Sequence, residues 1–177
     1  MGKSAAFKVP FSGLKTGEHT FEFIADNSFF EKFEYAQIEK GEVQIALKLA
    51  KKPTHMELNF TLKGSIDENC DRCTVAYQQP IIGAYTIYVK FGDDFDEPDD
   101  NLLIIPREAF EIDVSHMIYE FIELSIPRKL VPCDESGDTS ICNQEILQRL
   151  ESNISEEKKS NPLWNALNEI KDQLKEK

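Results

Sequence analysis

Two stretches of the chain alternate apolar and polar residues with a period of two. In GEVQIALKLAKKP the inward set is Val43, Ile45, Leu47 and Leu49, and in HMELNFTLKGSI it is Met56, Leu58, Phe60 and Leu62. That period places one set of side chains on a single face of an extended strand. AKKPTH lies between them and contains Pro53, so the pattern predicts an antiparallel pair joined by a turn. IIGAYTIYVKF predicts a further strand with Tyr85, Ile87, Val89 and Phe91 on one face, and EHTFEFIA predicts another with a less regular period. DNSFFEKF predicts a short helix capped by Asp26 or Asn27.

Further on, NLLIIP predicts a short strand, and the spacing then changes to threes and fours. Val114, Met117, Ile118, Phe121 and Leu124 form the inward stripe of a helix capped by Asp113 and stopped by Pro127. His116 falls among the polar positions and is expected at the surface. A second helix is expected from Asn143 to Leu150, followed by ESNISEEKKSNP, a charged linker rich in Ser and Asn. The last segment has Asn161 as its cap, Pro162 in the first helical position and an apolar stripe of Leu163, Leu167, Ile170 and Leu174. The expected fold is α+β, a mainly antiparallel sheet or partly closed barrel with two or three helices and a C-terminal helical tail. Residues 1–151 form one domain containing the cysteines, and residues 152–177 form the charged linker and amphipathic helix.

The chain has 177 residues, 41% of them hydrophobic and 12 of them Phe, enough for a real core. No run approaches the roughly 20 apolar residues that cross a bilayer, and the first residues lack the apolar stretch of a secretion signal. A cytoplasmic protein is expected. The formal net charge is -12, from 32 acidic and 20 basic side chains. Such a chain is repelled on average by nucleic acid and attracted to basic proteins. Six of the eight residues from Asp93 to Asp100 are acidic, which predicts a solvated loop tip, with a docking site for a basic protein as the weaker alternative. The segment lacks the alternating oxygen ligands and turn glycine of a calcium loop. There is no phosphate-binding glycine loop and no nucleophile elbow, and three His leave little for acid–base chemistry. A non-enzymatic protein is expected.

The cysteines carry the remaining chemistry. Cys70 and Cys73 form a Cys-x-x-Cys turn between two expected strands, and Cys133 and Cys142 bracket a polar loop far downstream. In a reducing compartment four cysteines are more often free, metal-bound or catalytic than paired in stable disulfides. Four thiolates would make a closed, structural zinc site with no open position for water. Two other readings stand beside it. The four thiols are unrelated, or Cys70 and Cys73 form a redox pair, which would need a thiolate stabilised at a helix N-terminus. Zinc is the first of the three by spacing alone.

The order of these features resembles the bacterial YceD-like family, the large ribosomal RNA subunit accumulation proteins. The resemblance rests on Cys70-Asp71-Arg72-Cys73, on FEIDVSHMIYEFIELSIPRKLVPC and on the NPLWNALNEIK tail, and spans roughly residues 5 to 175. It implies a non-enzymatic factor that supports large-subunit ribosomal RNA accumulation and ribosome assembly, with metal binding and nucleic-acid binding both described for the family as expectations. Carried over by residue, Cys70 and Cys73 match the family's Cys-x-x-Cys and Cys142 its later cysteine. Cys133 stands where some members have His, a mild change because thiolate and imidazole both bind zinc. The resemblance strengthens the zinc reading, with large-subunit ribosomal RNA or basic ribosomal proteins as partners. Candidate contacts to them are Arg72, Arg107, Arg128, Lys129 and Trp164, although the four cations would equally pair with some of the many carboxylates. No membrane partner and no small-molecule substrate are expected. The alternative function is a thiol redox protein or sensor using Cys70 and Cys73.

Overall fold

The regular alternation forms the middle of a sheet. A computed structural model describes residues 7–34, 37–132 and 141–157, with backbone alone at 151 and 153–157. Its strands are β1 (Lys8–Pro10), β2 (Gly17–Ala25), β3 (Gly41–Lys51), β4 (His55–Asn69), β5 (Ala76–Gly92), β6 (Asp96–Asp99), β7 (Leu102–Pro106) and β8 (Glu111–Asp113). Three helices lie among the described residues: α1 (Asn27–Phe30), α2 (Ser115–Leu124) and α3 (Gln144–Glu157). A six-stranded sheet runs β2-β3-β4-β5-β7-β6, and β1 pairs with β8 in a separate two-stranded sheet. Strands β2 and β6 end the order without pairing to each other, so the sheet is open and the barrel alternative is corrected. By contact the chain divides into two compact units, residues 1–68 with 76–130, and residues 69–75 with 131–177.

Within the first unit, β3 and β4 pair antiparallel from Lys51↔Met56 to Gly41↔Ile66, as their shared period requires. Val43, Ile45, Leu47, Leu49, Met56, Leu58, Phe60 and Leu62 are all buried. Gly64 is required by the close approach of these strands. A Cβ there would run into the Glu42 carbonyl oxygen and lie 2.6 Å from the Val43 Cα.

The acidic stretch after β5 departs from the loop expected of it. Asp96–Asp99 forms β6, antiparallel to β7 with a register shift, and all four residues are exposed. Strand β7 then pairs parallel with β5, from Tyr88↔Leu102 to Gly92↔Pro106. Parallel neighbours need a return segment, and β6 supplies it on the outer side of β7. Proline, acidic side chains and an irregular register on an edge strand discourage uncontrolled strand pairing, which reconciles the loop-like composition with an extended conformation.

Helix α1 forms where the sequence puts it. Asp26 caps it, accepting from the Phe29 backbone N–H at 3.1 Å and from the Ser28 hydroxyl at 2.6 Å. Those bonds, the hydroxyl's first, hold the Asp26 carboxyl below its ordinary value. Its contribution to stability is therefore present above the ordinary carboxylate pKa and is lost as pH falls through the lower folded value. Asp26→Ala is expected to cost about 1 kcal/mol at neutral pH. The deficit should shrink in urea titrations at acid pH, where the wild-type carboxylate is protonated as well.

Helix α2 lays Ile118, Tyr119, Phe121 and Ile122 into the core. Leu124 is 69% exposed, so it leaves the expected inward stripe. The stripe rotates because Ile122, four residues after Ile118, takes the buried place. The cap position is Val114 rather than Asp113, whose carboxylate instead accepts from the Ser115 N–H at 2.9 Å and hydroxyl at 2.6 Å. His116 is exposed, as expected, and lies 3.1 Å from Glu120. Helix α3 runs to Glu157, through residues 152–157 where the sequence suggests a linker. The tail expected after it, with Trp164, lies outside the described residues. No helix among the described residues is long and apolar enough to cross a membrane.

Candidate metal centre

Residues 69–75 leave β4 and turn back into β5, where the sequence predicts a tight connection. The Cys70 N–H donates to the Val75 carbonyl at 2.9 Å, and the Thr74 N–H donates to the Cys70 carbonyl at 2.8 Å. Closing this turn puts Thr74 in the left-handed region at φ 57°, the one non-glycine residue there among the described residues. That conformation costs roughly 1–2 kcal/mol for a residue with a Cβ. It turns the chain so that the Val75 N–H faces the Cys73 sulfur.

The second half of the centre comes from the start of α3. Asn143 caps that helix, its side-chain oxygen accepting from the Ile146 N–H at 3.4 Å and its carbonyl from the Leu147 N–H at 3.1 Å. Cys142 immediately precedes it, as the sequence predicts. Cys70, Cys73 and Cys142 are buried with Val131 in a cluster of their own, against which Val75, Ile146 and Leu147 pack. Sulfurs some seventy residues apart along the chain thus share one small apolar core inside the second unit.

The electrostatics single out Cys73. Its thiol is pulled below the ordinary cysteine value, first by the Val75 backbone N–H, then by the Asn143 N–H, the Cys70 side chain and the Arg72 charge; burial pushes it the other way. The Asn143 contact is the N-terminal end of α3, where the helix dipole favours negative charge. Sequence reasoning looked for a helix beginning at the first cysteine and so missed one arriving from far along the chain. The signal was the cap residue directly after Cys142.

The thiols are not all in one state. Cys70 and Cys73 are free, and Cys142 is disulfide-bonded. Cys133 lies outside the described residues. Among the described residues no group of three or more His, Cys, Asp or Glu side chains is placed to hold a metal ion. Two donors, Cys70 and Cys73, are therefore available as they stand, and Cys142 becomes a third only when its disulfide is reduced.

A sequence model of the family described as large ribosomal RNA subunit accumulation protein YceD matches residues 58–171. The chain belongs to the YceD family. The match begins within β4 and takes in the cysteine turn, α2 and α3, a narrower span than the resemblance suggested. No curated protein and no solved structure matches the chain.

The four cations proposed as contacts in this YceD-family chain belong to different units. Arg72 is half-buried in the cysteine turn of the second unit, where its charge acts on Cys73. Arg107, Arg128 and Lys129 are exposed in the first unit. Arg72 and Lys129 both have interaction partners of their own. Trp164 lies outside the described residues.

Proposed function

We propose that this protein is a non-enzymatic, cytoplasmic factor supporting large-subunit ribosomal RNA accumulation and ribosome assembly, stabilised by a structural zinc bound through cysteine. The family match over residues 58–171 carries the ribosomal part. The zinc part draws its support from Cys70, Cys73 and Cys142 sharing one apolar cluster. In a reducing compartment Cys142 joins the free pair, with Cys133 as the fourth donor. Backbone N–H groups directed at a thiolate are the kind of outer support that ligating groups receive in metal sites. In this reading, zinc would offset the desolvation of thiolates that an apolar core otherwise disfavours.

Protein contact serves the role better than RNA grip. An acidic chain attracts basic ribosomal proteins and repels phosphate. Four cations split between two units would give a weak, shallowly salt-dependent hold on RNA.

The redox reading with Cys70 and Cys73 has one observation in its favour, the lowered Cys73 thiol. Against it, Cys70 and Cys73 are 1% and 0% exposed, and a thiol that exchanges with substrates needs access.

Removing the gene from its host is expected to lower the ratio of large- to small-subunit ribosomal RNA, with recovery on re-expression. Affinity capture should return large-subunit components. An unchanged ratio, with capture returning a thiol reductase instead, would overturn the proposal in favour of redox chemistry.

A further inference from the structure

In the first unit, the sheet edge at β6 and β7 and the helix α2 line two adjoining cavities of about 310 Å³ and about 790 Å³. Glu97, Leu103, Met117 and Glu120 line both, so the two are parts of one groove. Its floor is apolar: Leu103, Ile105 and Met117 line the smaller part, and Ile87 and Phe121 the larger. Two large side chains stand open along it, Phe95 on the smaller part at 62% exposed and Leu124 on the larger at 69%. Exposed apolar residues beside an apolar trough mark binding surfaces more often than isolated ones do.

The rim has one sign. Glu97, Glu111, Asp113 and Glu120 line the smaller part, and Asp99, Asp100 and Glu123 join in the larger. No Lys or Arg lines either part. Lys8 reaches Glu111 at 2.5 Å, and His116 lies 3.1 Å from Glu120. Among the described residues no ion pair is formed by Glu97, Asp99, Asp100 or Glu123, although Tyr119 donates its hydroxyl to Glu123 at 2.5 Å. Carboxylates gathered beside a low-dielectric wall focus a negative potential into the groove.

We infer that this groove docks a cationic, amphipathic segment of a partner protein, its apolar side chains on the Leu103–Met117 floor and its Lys or Arg side chains on the acidic rim. A polyanion such as RNA would be repelled by the rim. A compact cation would leave the apolar floor and the exposed Phe95 and Leu124 uncovered. Pro98 and the register shift in β6 disfavour simple strand addition at this edge, so the side chains of the groove make the contact. The inference rests on the proposed ribosomal role only for the partner's cellular identity, since basic segments abound in ribosomal proteins.

The test uses the purified full chain and a fluorescent synthetic peptide carrying alternating Lys/Arg and Leu/Phe residues, read by anisotropy. Binding should weaken with added salt. Asp99→Lys with Asp100→Lys, and separately Leu124→Ser, should each weaken it about tenfold or more, as loss of a main anchor does. Each of these positions is exposed, so the fold is kept. Glu22→Lys with Glu42→Lys, the same charge change on other exposed strand positions, should change it less than about twofold. Equal weakening by the remote pair, or equal binding of a peptide lacking the apolar residues, would reduce the effect to global charge and overturn the inference. So would a competing RNA oligonucleotide in the groove, or a dimer dissolved by Leu124→Ser with no peptide bound. The measurement needs no ribosome, so its failure is separate from failure of the ribosomal reading.

Discussion

Replacing Cys70 and Cys73 together by serine is expected to abolish zinc binding by the reduced protein and with it a large part of the thermal stability of the cysteine-bearing unit. Both sulfurs are buried in an apolar cluster with Cys142 and Val131, and a serine hydroxyl is a far weaker zinc ligand than a thiolate. A metal that binds only the folded state stabilises by the logarithm of its saturation, about 4 kcal/mol at a free concentration 1,000 times the dissociation constant. For a chain of this size that corresponds to roughly 8–16 °C, should the two units unfold together. Serine hydroxyls in an apolar core carry their own desolvation cost of about 1–3 kcal/mol. The decisive comparison is therefore the zinc-dependent increment and not the absolute midpoint. Reduced wild type should gain stability on adding zinc and lose it to a chelator, while the double variant should do neither. An equal zinc response in both would show that the metal binds elsewhere.

Phe121→Ala should strongly destabilise the first unit. The ring is 7% exposed, stacks on Tyr85 with centroids 4.4 Å apart and planes 2° apart, and meets Phe60 edge-on at 5.2 Å. It is the side chain through which α2 grips β4 and β5, and the Tyr85 hydroxyl extends that grip to Ser125 at 3.0 Å. Truncating a buried Phe to Ala costs about 3–5 kcal/mol through lost transfer energy and the cavity left behind. Against a total stability of about 5–15 kcal/mol, that brings the unit close to unfolding. Phe121→Leu, which keeps most of the volume, should cost clearly less. Urea titrations read both. A loss below about 1 kcal/mol for the alanine variant would contradict the packing of α2 described above.

Local periodicity made the centre of the fold legible, and pairing at a distance did not. Strands β3 and β4 could be read to within a few residues because each has one dry face and a short turn joins them. Helix α2 was legible as a helix but not in its rotation: Leu124 and Ile122 are equally apolar, and only the position of the sheet decides which one is covered. Strand β6 was illegible because Asp96–Asp99 has no buried face; its conformation comes from backbone pairing with β7, on which side-chain pattern is silent. The parallel pairing of β5 with β7 was hidden for the same reason. In the cysteine cluster, the turn at Cys70–Cys73 and the helix after Cys142 could both be placed locally. Their meeting through the Asn143 N–H could not, since no periodicity spans some seventy residues of intervening chain.

Zinc K-edge X-ray absorption on the protein, purified under reducing conditions with zinc present, tests the central claim most directly. The account predicts one zinc per chain surrounded by four sulfur atoms at about 2.3 Å. A protein that emerges fully reduced and zinc-free, or a bound zinc whose neighbours are oxygen and nitrogen alone, would contradict it.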